Sequence, residues 1–183
     1  MAETTAQTMQ SLGFLTIVQE NNGYLGGYLV TNLWGRPLEF RLSTAVQPNR
    51  IQQILYGGTL QAYICADLIG KTLIEKTTTT AQCIFADCEA VLDLRLHIDL
   101  PIACLAIENS RLRAPDPGST IKVDPTTGRW KSPMLSHPRF PADVAAIRTL
   151  LERLDGVLDL AEPFVRIREA ISEARKLGVV SRN

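Results

Sequence analysis

The sequence predicts a single α+β domain, an antiparallel β-meander extended by further strands, with helices on one face and a C-terminal helical hairpin. Three observations carry this. Strand-like runs over residues 14–20, 24–32 and 38–42 are separated by turn signals, and two apolar stripes at helical spacing follow one another after residue 141. With 45% hydrophobic and 21% charged side chains, 183 residues are enough to bury one core. The expected divisions are a flexible arm over 1–13, an α+β core over 14–110, a proline-rich basic segment over 111–141 and a helical hairpin over 142–183, packed on the core.

Residues 1–13 are small and polar and suit a loose arm. The first two strands flank Asn21-Asn22-Gly23, where Asn-Gly supplies the positive φ angles of a tight hairpin. Gly26-Gly27 inside the second strand predicts a bulge or the close approach of another backbone. After Trp34-Gly35-Arg36-Pro37, Leu38, Phe40 and Leu42 alternate with Glu39 and Arg41, giving a third strand with one apolar face. Pro48 suits a first helical turn, and Ile51, Ile54 and Leu55 make a short amphipathic helix that Gly57-Gly58 stops. Thr59 can cap a second helix carrying Leu60, Tyr63, Ile64, Ile69 and Leu73, in which Gly70 costs about 1 kcal/mol relative to Ala. Four threonines, 77–80, end it.

Cys83–Ala86 and residues 102–107 read as buried strands, and the connector 87–96 suits a helix moderately, with an extended reading open. Six prolines over 109–141 predict little regular structure there. Beyond them Val144, Ile147, Leu150, Leu151 and Leu154 form one helical stripe, and Phe164, Ile167, Ile171 and Ala174 form another. Asp159, three residues before Glu162 and followed by Pro163, suits a cap for the last helix.

No apolar stretch approaches the roughly 20 residues that span a bilayer, and residues 1–13 lack the pattern of a signal peptide. Cys65, Cys83, Cys88 and Cys104 sit in apolar surroundings, where thiols serve as small core residues. The expectation is a cytoplasmic protein with no membrane contact and reduced cysteines.

No motif identifies a reaction or a ligand. Gly70-Lys71-Thr72 ends like a phosphate-binding loop, but Cys65 stands where that loop needs Gly, and the segment falls inside an expected helix. Cys83 and Cys88 have no second Cys or His pair at zinc-ligand spacing, and His97 and His137 are the two histidines, so no metal site is expected. Cys88, His97 and Asp99 could be assembled into a thiol-dependent enzyme, a minor alternative. Asp87, Glu89 and Asp93 suit capping or solvation of the connector. No catalytic residue and no cofactor are expected.

Charge is unevenly spread. The first 57 residues hold six charged groups and the remaining 126 hold 32, which is about 11% against about 25%, where about a quarter is usual. Charge depletion with aromatic side chains marks the centre of protein interfaces, and Tyr24, Tyr28, Trp34, Arg36 and Tyr56 are the available anchors. The composition therefore predicts a non-enzymatic protein–protein interaction subunit, a homodimer or an accessory component of a larger assembly. The alternative lies in the proline-rich segment. There Arg111, Arg113, Lys122, Arg129, Lys131 and Arg139 face only Asp116 and Asp124, with Trp130 and Phe140 interleaved, a pattern that suits a phosphate or nucleic-acid backbone.

Overall fold

The first two strands carry apolar side chains at both parities. Leu12, Phe14, Leu25 and Leu29 belong to one buried cluster, and Leu15, Ile17, Tyr28 and Val30 belong to another on the opposite face. A strand apolar on both sides must be covered on both sides. The computed structural model, which describes residues 10–21, 23–105, 121–123 (backbone) and 134–179, meets that demand with a mixed seven-stranded sheet between two layers of helices.

The strands are β1 (Ser11–Glu20), β2 (Gly23–Asn32), β3 (Pro37–Leu42), β4 (Cys83–Ala86), β5 (Ile102–Leu105), β6 (Ile121–Val123) and β7 (Met134–Ser136), in the order β3-β2-β1-β4-β5-β7-β6. The antiparallel meander forms as expected, although β1 begins at Ser11, three residues inside the expected arm. Its hairpin loop is Asn21-Asn22, since Gly23 already pairs with Glu20. Asn21 takes the positive φ, 46°, and Asn22 lies outside the described residues. The strands β4 and β5 continue the sheet parallel to β1. Within the segment expected to lack regular structure, β6 and β7 pair with each other, and β7 adds antiparallel to β5.

Between β3 and β4 run α1 (Arg50–Tyr56) and a central helix composed of α2 (Leu60–Ala62), a π-helical stretch (Tyr63–Gly70) and α3 (Lys71–Glu75). Asn49 caps α1 in a reciprocal box with Gln52, so Pro48 stands outside the helix. The apolar residues of α1, Ile51, Ile54 and Leu55, face solvent and not the core. Thr59 does not cap the central helix, because its hydroxyl donates instead to the Tyr56 carbonyl at 2.7 Å. The connector after β4 is a 3-10 helix, Glu89–Leu96, which settles the open choice.

The central helix and the 3-10 helix cover one face of the sheet, and the C-terminal hairpin, α4 (Ala142–Leu154) and α5 (Glu162–Lys176), covers the other. Asp159 accepts from the Ala161 N–H at 3.0 Å, and the helix N-cap is Ala161, so the expected box with Glu162 does not form. A part-buried ion pair ties the two layers: Arg95 Nε and Nη2 donate to Asp143 at 2.8 and 3.3 Å, and the guanidinium lies 4.0 Å over the Phe140 ring.

Gly26 and Gly27 let both layers reach β2. A Cβ on Gly26 would lie 2.2 Å from Ile69 of the central helix, and one on Gly27 would lie 2.5 Å from Ile167 of α5. The close approach is by helix side chains, and the register shift of β2 falls at Val30/Thr31, beyond the glycines. Gly26→Ala or Gly27→Ala should therefore destabilise the fold by about 1–3 kcal/mol through overpacking. Gly58→Ala, whose Cβ meets nothing within 4 Å, should be neutral or slightly stabilising; urea denaturation of the three variants checks the contrast.

Candidate functional site

The register Leu15↔Ala86 sets Thr16 on β1 beside Asp87, the residue that follows β4. Alternation turns both toward the face that α5 covers. There the Thr16 hydroxyl donates to Asp87 Oδ2 at 3.2 Å, and the Arg168 guanidinium of α5 pairs with the same oxygen. The other oxygen, Oδ1, is buried and has no hydrogen-bond partner among the described residues. Asp87 is 4% exposed, and burial pushes its carboxyl up to about 6 in spite of Arg168, which pulls it down.

Arg168 also lines an open cleft of about 450 Å³ along α5, together with Glu20, Ser172, Arg175 and Lys176. Arg175 pairs with Glu20, and Lys176 Nζ lies 2.6 Å from Glu173. One half-exposed guanidinium thus joins a buried carboxylate to a cleft whose three cations are each held in an ion pair. A phosphate could be held there by exchange of those carboxylate partners, because guanidinium groups recognise phosphate oxygens in a fork geometry. A carboxylate oxygen without a donor can take a proton.

The expected site residues fall elsewhere. Tyr24 and Tyr28 are 8% and 2% exposed and belong to the chain's own core, where burial raises both hydroxyls, so neither is an anchor for a partner. Trp34 is 75% exposed with Arg36 at the β2–β3 turn, and Tyr56 stacks on Tyr63 with centroids 4.2 Å apart. Cys88 is buried in the core beside Cys65, His97 pairs with Asp67, and Asp99 lies 3.4 Å from Arg95, so Cys88, His97 and Asp99 do not form a thiol centre. Gly70-Lys71-Thr72 lies within the central helix and is not a phosphate loop.

Arg111, Arg113, Arg129, Trp130 and Lys131 lie outside the described residues, as does the Lys122 side chain, while the Lys122 backbone is in β6. Arg139 is exposed in the turn before α4. Asp87, expected to cap or solvate the connector, is instead buried under α5. Neither its role nor that of Arg168 was anticipated. The available signal was an Asp directly after the apolar run Cys83–Ala86, at the carboxyl end of a strand, where open sheets bind ligands.

No known family matches the sequence, and no curated protein does. The fold is found among solved structures. It resembles the endonuclease V of Streptomyces avermitilis over 94% of this chain and 84% of that one, with a TM-score of 0.55 and 13% identity. The endonuclease V of Bacillus subtilis matches at a TM-score of 0.43 and 11% identity, over 70% and 64% of the two chains. That of Ciona intestinalis, in complex with a 24mer DNA containing an inosine followed by a ribo-adenosine, matches at 0.45 and 9% identity, over 92% and 87%. Of these three only the first exceeds 0.5, and the shared fold rests on it.

That likeness overturns the expectation of a non-enzymatic accessory subunit. The scaffold is shared with a nuclease, and the charge-poor region that suggested an interface is its twice-covered sheet. Nucleases commonly hold a pair of divalent cations on clustered acidic ligands. Among the described residues no three His, Cys, Asp or Glu side chains come together in this way, and the partners of Asp87 are a hydroxyl and a guanidinium. The described donor set does not fit a divalent pair.

Because the folded carboxyl of Asp87 titrates at about 6, above its ordinary 3.8, its contribution to stability is full below about pH 4 and is lost as pH rises through 6. Asp87→Asn should therefore be more stable than the parent at pH 8, by up to about 3 kcal/mol, with the difference vanishing toward pH 4. Denaturant titrations of both proteins across that range measure it.

Proposed function

We propose that this protein processes nucleic acid by hydrolysing a phosphodiester at the carboxyl ends of β1 and β4. The reading is supported above all by Asp87, a buried carboxylate with one oxygen that bonds nothing among the described residues, joined through Arg168 to the cleft along α5. Arg168, Arg175 and Lys176 hold the phosphate and oppose the charge that grows on it during attack. A water gives its proton to Asp87 Oδ1 as its oxygen bonds to phosphorus. The bond from phosphorus to the leaving nucleotide oxygen breaks, and that oxygen takes a proton from solvent. A carboxyl near 6 is ionised at neutral pH yet is a stronger base than an ordinary carboxylate. The basic groups that the sequence collects over 111–140, Arg111, Arg113, Lys122, Arg129, Lys131 and Arg139, are further candidates for phosphate contact, and Trp130 for base stacking.

Labelled single-stranded and double-stranded probes should bind with an affinity that falls steeply with salt. Arg175→Ala should reduce the log–log slope by about one, and Arg129→Ala with Lys131→Ala by about two. Asp87→Asn should bind as the parent does and cleave at least about 100-fold more slowly. A parent protein that neither binds nor cleaves any probe at low salt would overturn the reading.

A further inference from the structure

The Asp87 neighbourhood differs from a divalent-cation site in a way that has its own chemistry. Building on the nucleic-acid function proposed above, we infer that Arg168 stands in for the metal ion, so that the site takes the phosphodiester directly on guanidinium groups and recruits no divalent cation to Asp87.

Four observations converge. Asp87 Oδ2 is already engaged by the Thr16 hydroxyl and the Arg168 guanidinium, so a cation there must displace one fixed positive charge with another. Oδ1 offers a single oxygen, whereas Mg²⁺ demands near-octahedral oxygen ligands. The position on β1 that faces Asp87 is Thr16, a neutral hydroxyl where a second carboxylate would make a cluster. Finally, in the cleft that an entering ion would cross, Arg168, Arg175 and Lys176 are each held in an ion pair, and the lining carboxylate, Glu20, is already neutralised by Arg175, so it offers a cation no unpaired charge.

Arginine is suited to the substitution. Its guanidinium stays charged at all working pH values and presents a planar fork of N–H donors to phosphate. The Arg168 side chain is 45% exposed, so it reaches the cleft while its buried partner is 2% exposed. When phosphate arrives, Arg168 can exchange the carboxylate for a phosphate oxygen. That exchange leaves Asp87 free to accept the proton.

The test uses the full chain, freed of metal by EDTA and dialysis, with a labelled oligonucleotide as probe. Binding and cleavage in EDTA should lie within about twofold of those in Mg²⁺ or Mn²⁺, and Mn²⁺ should leave Tm unchanged in the absence of nucleic acid. Arg168→Ala should weaken probe binding at least about tenfold in either buffer, with Arg168→Lys recovering part of the loss because it keeps the charge and loses the fork. Thr16→Asp combined with Arg168→Ala should create a carboxylate pair and gain a Mn²⁺-dependent rise in Tm that the parent lacks. Cleavage by the parent that requires Mg²⁺ or Mn²⁺, or a Tm that rises with either ion, would overturn this inference and leave the nucleic-acid reading standing. A parent that binds no probe in any buffer would instead remove the nucleic-acid reading and, with it, the basis of this one.

Discussion

Helices press on β2 from both faces at one point, and everything else in the architecture is arranged around that contact. Ile69 and Leu73 reach Gly26 from the central helix, while Ile167 and Ile171 reach Gly27 from α5. Two adjacent residues without Cβ atoms are needed because successive strand positions face opposite sides of the sheet. The packing on Gly27 fixes α5 at Ile167, and the next residue is Arg168. The seating of a helix on a glycine and the placing of a guanidinium on Asp87 are therefore one structural event. Interiors packed at crystal-like density transmit such constraints, so a shift of α5 away from β2 would carry Arg168 away from the carboxylate as well.

Two part-buried Asp–Arg pairs in this protein do different work, and their hydrogen bonding separates them. Both oxygens of Asp143 accept from Arg95, whose guanidinium also donates to the Ile98 carbonyl at 2.8 Å and lies on the Phe140 ring. That pair is satisfied, and it fastens the start of α4 to the 3-10 helix. Asp87 has one oxygen shared by two donors and the other without any among the described residues. A half-satisfied buried carboxylate costs stability, which is why burial outweighs Arg168 in setting its titration. Strongly perturbed carboxyls with such a cost cluster at functional sites, and the position of this one, at the carboxyl end of a parallel strand and paired with an arginine that lines a cleft, fits that pattern.

The meander, β4, the two C-terminal helices and the short helix before Gly57 were legible because each rests on local signals: turn residues, alternation, or a 3.6-residue stripe. The parallel pairing of β1 with β4 was not, because strand order is decided by contacts distant in sequence, and a short apolar run such as Cys83–Ala86 pairs equally well in either direction. The site was hidden for the same reason. Arg168 and Asp87 are 81 positions apart, and on α5 Arg168 is one of several basic residues with nothing local to distinguish it. Asp87 looked like a cap because a helical segment does follow it, yet the 3-10 helix takes no side-chain cap from Cys88 or from Asp87.

The charge-poor N-terminal region resembled an interface for a physical reason. An interface core and a doubly covered strand are both surfaces that water does not reach, so both lose charged residues, and composition alone cannot separate them. Periodicity can. A strand with one face in the core and the other against a partner or solvent alternates, whereas a strand covered by its own chain on both sides is apolar almost continuously. Phe14, Leu15, Ile17 and Val18 on β1, with Leu25, Tyr28, Leu29 and Val30 on β2, follow the second pattern. Gly26-Gly27 reinforces it, since a glycine pair in the middle of an apolar strand is where two helix layers can close in from opposite sides. The scarcity of charge in residues 1–57 is thus explained by the depth of β1 and β2 within this one chain.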